Sequence, residues 1–190
     1  SWKLEGILNG IDTVLNSPRG NRSIAKPFSS GRMTGKAECK AALQQMAGLT
    51  PDPEVPIIAC ISRLVSHKGF DLISQALNDI MALDVQMVVL GTGEARYEET
   101  FRRAQGQYPG RFSAQIMYSA PLSTAIYAGA DLFLMPSLSE PCGLSQMIAM
   151  RYGTVPVVRE TGGLKDTVIP YNKYTGEGRG FTFTHPNAND

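Results

Sequence analysis

The chain has 190 residues, enough for one well-buried domain. Apolar residues make up 43% and charged residues 18%, an ordinary globular balance that excludes an intrinsically disordered chain. The formal net charge of +1 gives no electrostatic reason to expect nucleic acid or an anionic membrane as a partner, so any anion site must be local.

Residues 1–50 are weakly patterned and read as a lead-in to a single domain over 51–190. Within them, Gly6 to Asp12 predicts a short strand and turn. Residues 16–35, rich in Ser, Gly, Pro and Arg, predict loop, and Lys36 to Gln45 predicts a helix. From Val55 the pattern becomes regular. Ile57 to Ile61 is a buried strand, and Phe70, Ile73, Leu77, Ile80 and Met81 fall at helical spacing. Val85 to Leu90 is a second strand, followed by a polar helix over Glu94 to Gln105. Phe112 to Tyr118 is a third strand, and Leu122 to Ala128 a short helix. Leu132 to Met135, a helix over 143–152 and Val155 to Val158 continue the alternation, and a Gly- and Asn-rich tail begins at Tyr171.

Alternating strands and helices predict an α/β domain with a doubly wound, parallel, Rossmann-like sheet. Ligands of such sheets bind beyond the carboxyl ends of the strands. Four unusual loops fall on that rim: Ser62 to Gly69, Gly91-Thr92-Gly93, Ser139 to Gly143 and Thr161-Gly162-Gly163. Arg63 and Lys68 bracket the first, and two cations there suit a diphosphate, the arginine as a fork and the lysine as a point charge. Read alone, they are a pair of solvated surface charges, and it is the neighbouring rim loops that favour a ligand. Thr161-Gly162-Gly163 reads as a phosphate nest or a plain turn. Tyr118, at the end of the predicted third strand, reads as a stacking surface for a nucleobase or as a half-buried strand aromatic.

The segment Pro136 to Gln146 carries the most information. Glu140 lies on a strand-to-helix loop, beside backbone N–H groups of a helix start that can receive anionic or hydroxyl-rich ligands. Orienting a sugar and stabilising positive charge suits it better than covalent chemistry, for which no second positioned carboxylate is visible. The alternative is a helix-start carboxylate favoured by the macrodipole. Cys142 has no histidine near it in sequence and reads as a thiol lining the site.

The three cysteines, Cys39, Cys60 and Cys142, are widely spaced and odd in number, and the only histidines are His67 and His185. Neither a disulfide framework nor a metal spacing is visible, which predicts a reducing, cytoplasmic compartment and no metal site. No apolar run approaches the ~20 residues of a membrane span, and no signal peptide is visible.

Together, Ser62-Arg63-Leu64 with Lys68 to Leu72, Glu140 to Gln146, Arg151 to Arg159 and Thr161 to Val168 resemble bacterial glycogen synthase and plant starch synthase. The resemblance runs from Gly6 to Phe181. It implies one half of a two-Rossmann-domain (GT-B) glycosyltransferase that moves glucose, with retention, from ADP-glucose to the non-reducing end of an α-1,4-glucan. By motif, Arg63 and Lys68 would hold the donor diphosphate and Glu140 would face the glucose, with the Cys142 and Gly143 backbone near its hydroxyls. Leu144 and Ser145 would lie along the phosphates and ribose, Tyr118 against the base, and Thr161, Gly162 and Gly163 near the phosphates. Ile148 stands where many related transferases carry a second glutamate, which fits glucan synthases. The resemblance implies no cofactor beyond the donor itself. It also implies an α-glucan acceptor held by an N-terminal domain that this chain lacks, so that the chain reads as an excised donor-binding domain, binding but not turning over. A UDP-sugar-dependent retaining glycosyltransferase or a related GT-B enzyme domain is the alternative.

Overall fold

The computed structural model describes residues 6–188. A lead-in helix α1 (Thr34–Ala47) precedes β1 (Ile57–Ile61), α2 (Phe70–Ala82), β2 (Gln86–Leu90), α3 (Ala95–Gln107) and β3 (Phe112–Gln115). Then come α4 (Ala120–Gly129), β4 (Leu132–Met135), α5 (Ser145–Arg151), β5 (Val155–Arg159), α6 (Gly162–Thr167) and β6 (Phe181–Phe183). The strands form one parallel sheet in the order β3-β2-β1-β4-β5-β6. The chain winds outward from β1 to β3, crosses back to lay β4 beside β1, then winds outward the other way. This is the doubly wound arrangement expected from the alternation.

Near-continuous apolar strands fit a sheet covered on both faces. In β1 and β2 the pleat sends Ile57, Ala59, Val88 and Leu90 into one core layer with α1, α4 and α5. Cys60, Met87 and Val89 enter the opposite layer, where Phe70, Phe101 and Phe112 pack with α2 and α3. The lead-in belongs to the first layer through Ile24, Phe28, Cys39 and Leu43. An ion pair of 3.0 Å between Lys40 and Asp131 fastens α1 to the start of β4, and Asp131 also accepts from the Ile57 amide at 2.8 Å.

Several local expectations are corrected. Residues 6–12 form no strand: Ile7 and Leu8 are exposed with no neighbour to pair. The Asp12 carboxylate instead accepts from the Val14 and Leu15 amides, each at 2.8 Å, and closes a turn. The third strand stops at Gln115, because the Met117 amide turns back onto the Gln115 carbonyl at 2.9 Å. Tyr118 is therefore a loop residue. The helix after β4 opens at Ser145, two residues beyond Gly143, whose φ of 71° is not helical. Helix α6 and strand β6, six and three residues long, are too short for periodicity to register. No helix among the described residues is long and apolar enough to cross a membrane.

Candidate functional site at the topological switch point

The winding reverses between β1 and β4, so the loops at their carboxyl ends flank the crevice where doubly wound sheets take their ligands. The loop after β1 carries Arg63 and ends in a 3-10 turn, Ser66–Lys68. Gly69 closes that turn at φ 80°, and any Cβ there would collide with the Pro136 carbonyl of the loop after β4. The two loops thus touch backbone to backbone. The His67 carbonyl also accepts from the Leu138 amide at 2.9 Å and the Ser139 amide at 3.4 Å.

Across this junction the Lys68 ammonium lies 2.5 Å from Glu140 Oε2. Glu140 is only 8% exposed, and the Ser137 hydroxyl stands 3.5 Å from the same oxygen. Arg63 is exposed and joins no ion pair among the described residues. Arg63, Lys68, Tyr118 and Ser145 line a cleft of about 350 Å³ together with Ser62, Gly91, Thr92 and Ser119. Tyr118 is 92% exposed, so the half-buried strand aromatic is excluded and its ring is open to a ligand at the cleft mouth.

A larger groove of about 820 Å³ runs between residues 14–23 and α4 and shares Tyr118 and Ser123 with the cleft. Its only basic lining residue is Arg19, and it lies away from the carboxyl ends of β1 and β4. The smaller cleft, with two cations at the switch point, is the stronger candidate despite its volume.

Cys142, Gly143, Leu144, Thr161, Gly162 and Gly163 do not line the cleft. They form or brace the loop that carries Glu140. The Gly163 amide donates to the Glu140 carbonyl at 3.1 Å, and the Thr161 amide to the Arg159 carbonyl at 2.9 Å. A side chain at Gly162 or Gly163 would strike the carbonyl of Glu140 or Cys142, so the glycine pair lets the loop after β5 lie directly on the glutamate loop. Cys142 is partly exposed with a free thiol.

Two residues escape a reading confined to the rim loops. The Arg159 guanidinium donates to the carbonyls of Ser137 at 2.9 Å and Leu138 at 2.7 Å, holding the entry to the glutamate loop. Gln146 is wholly buried and holds its exit, donating to the carbonyls of Cys142 at 3.1 Å and Gly143 at 3.0 Å. The signal available was a charged residue ending an apolar strand and an amide on the inner face of a helix. Among the described residues, no group of three or more His, Cys, Asp or Glu side chains could hold a metal ion.

Fold and site together define a doubly wound α/β domain with a cleft lined by two cations, Arg63 and Lys68, at its switch point. The chain belongs to the glycosyl transferases group 1 family, whose profile matches residues 43–190. It is 55% identical over 188 residues to a glycogen synthase of Desulforamulus reducens, covering 99% of this chain and 39% of that one. Identity to a glycogen synthase of Clostridioides difficile is 51% over 190 residues, covering 100% of this chain and 40% of that protein. The catalytic domain of starch synthase IV from Arabidopsis thaliana, solved bound to ADP and acarbose, superposes with a TM-score of 0.90 at 38% identity. That match covers 97% of this chain and 39% of the plant chain. The chain thus spans about two fifths of the length of these relatives.

Proposed function

We propose that residues 51–190, with 1–50 as lead-in, are the donor-binding domain of an ADP-glucose-dependent α-1,4-glucan synthase. Arg63 and Lys68 bind the diphosphate and stabilise it as it departs, by charge placed where negative charge develops. Tyr118 stacks on the adenine, and Ser145 and Leu144 lie toward the ribose and phosphates. Glu140 meets the glucosyl group and steadies the cation-like centre, with the backbone of Cys142 and Gly143 near the sugar hydroxyls. Thr161, Gly162 and Gly163 approach the donor at its phosphate end, and no metal or cofactor takes part. The α-glucan acceptor is held by residues outside this chain, so this domain alone binds donor without transferring glucose. The parent enzyme acts in the cytoplasm, where Cys39, Cys60 and Cys142 stay as free thiols.

The observation that carries this reading is the pairing of Lys68 with Glu140 at the switch point: Lys68 lines the cleft beside Arg63, and its ammonium joins those diphosphate-type cations to a sugar-type carboxylate on the adjoining loop, which does not itself line the cleft. Further support comes from the glycogen synthase relatives and from the plant starch synthase solved with ADP. Calorimetric titration with ADP-glucose and UDP-glucose tests it. Binding of ADP-glucose in preference to UDP-glucose is expected. The reverse preference would favour a UDP-sugar transferase.

A further inference from the structure

The loop that carries Glu140 is fastened along most of its backbone. Arg159 holds the carbonyls of 137 and 138, the His67 carbonyl receives the amides of 138 and 139, and the Gly163 amide reaches the carbonyl of 140. The carbonyls of 142 and 143 both accept from one side chain, Gln146, and the carbonyl of 143 has besides it only the Cys142 thiol at 3.5 Å among the described residues. Its Nε2 also reaches Thr167 Oγ1 at 3.0 Å, and that hydroxyl donates to the Gly163 carbonyl at 2.6 Å. Three acceptors surround Nε2, which sets the amide orientation. A reversed amide would face its oxygen to two carbonyls.

This arrangement leaves Gln146 Oε1 buried without a partner among the described residues. Buried polar groups are rarely left so, and a fully apolar helix face would avoid the penalty. The amide fills the space where a side chain at Gly143 would stand, and it adds to the Gly163 amide a second link between the glutamate loop and α6.

We infer that Gln146 is a positioning residue for the sugar end of the donor site: through the Cys142 and Gly143 carbonyls and Thr167 it fixes the loop that presents Glu140. The inference rests on the donor reading above. Gln146 lies outside the cleft that would hold the nucleotide and braces the carbonyls next to Glu140, so its effect falls on the glucosyl group more than on ADP.

The test uses the 190-residue chain and its Gln146→Leu variant, titrated with ADP and with ADP-glucose. In parallel, the rate of Cys142 alkylation by iodoacetamide reports the loop without any nucleotide. In the variant, ADP affinity should stay within about twofold, while the affinity difference between ADP-glucose and ADP shrinks about fivefold or more and alkylation accelerates by a similar factor. Equal weakening of both nucleotides, or unchanged sugar dependence, overturns the inference. So does an unchanged alkylation rate. If the wild-type chain binds neither nucleotide, the donor reading itself falls, and the alkylation rate alone decides whether Gln146 holds the loop. Should Gln146→Leu fail to fold, Thr167→Val removes the anchor of Gln146 on α6, together with the hydroxyl's bond to the Gly163 carbonyl, and must show the same split and the same faster alkylation.

Discussion

Lys68 and Glu140, 72 residues apart in the chain, meet at 2.5 Å across the switch point of the sheet. The ammonium proposed for the diphosphate is paired with the carboxylate proposed for the sugar, so a donor held by both would share or replace that pairing.

The pairing makes two substitutions diverge. Lys68→Ala removes a charge-assisted contact to the diphosphate and should weaken ADP binding by ~1.5–3 kcal/mol. Glu140→Gln releases Lys68 from its partner and should leave ADP binding unchanged or tighter. Titration of both variants with ADP checks this. Parallel losses in the two variants would mean that Glu140 supports the nucleotide end.

Tyr118 separates stability from binding. Its ring is almost wholly in solvent, so Tyr118→Ala should alter unfolding stability by no more than ~0.5 kcal/mol. Losing a stacked base should cost ~1–3 kcal/mol in nucleotide affinity. Urea denaturation and ADP titration measure the two quantities. An unchanged affinity would remove Tyr118 from the site.

The three cysteines give a chemical footprint. Cys39 and Cys60 are buried, and burial pushes the Cys60 thiol up to about 12, whereas Cys142 is partly exposed. In the folded chain iodoacetamide should modify Cys142 alone, and ADP-glucose should slow the reaction. Mass spectrometry of the alkylated chain reads the result. Modification at the same rate with saturating ADP-glucose would place the donor away from this loop.

Much of this site was legible in the sequence because loop chemistry is local. The apolar run of β4, then Pro141 and Gly143, marks a strand-to-helix loop and puts Glu140 on it. Tyr118 was not placed correctly, because Phe112 to Tyr118 keeps an extended pattern past the point where pairing ends. The last pair of β3 with β2 joins Leu90 to Gln115, and no backbone partner remains beyond it. Gln146 has no role in the sequence beyond closing the Glu140 to Gln146 segment, because only the folded chain brings the Cys142 and Gly143 carbonyls over it. The braces on the glutamate loop come from β5 and α6, whose contacts span the sheet and leave no trace in spacing.

Lys36 supplies a pH signature of the fold. Its ammonium donates to the carbonyls of Ala128 at 3.2 Å and Tyr152 at 3.1 Å and to the Thr154 hydroxyl at 2.9 Å. Burial lowers its pKa from 10.5 to about 8. Between those values the unfolded chain binds more protons than the folded one, so this group's contribution to stability grows as pH rises through the window. The contribution is lost as pH falls through about 8. The stability difference between wild type and Lys36→Met, followed by urea denaturation from neutral to alkaline pH, should shift in favour of wild type. A difference independent of pH would contradict the shift.

A crystal structure of the chain with ADP decides whether a nucleoside diphosphate occupies the cleft at the switch point. Phosphate oxygens are expected within hydrogen-bonding distance of Arg63 and Lys68, with the adenine against Tyr118. ADP seated instead in the groove between residues 14–23 and α4, with Arg63 and Lys68 free of phosphate, would contradict this placement.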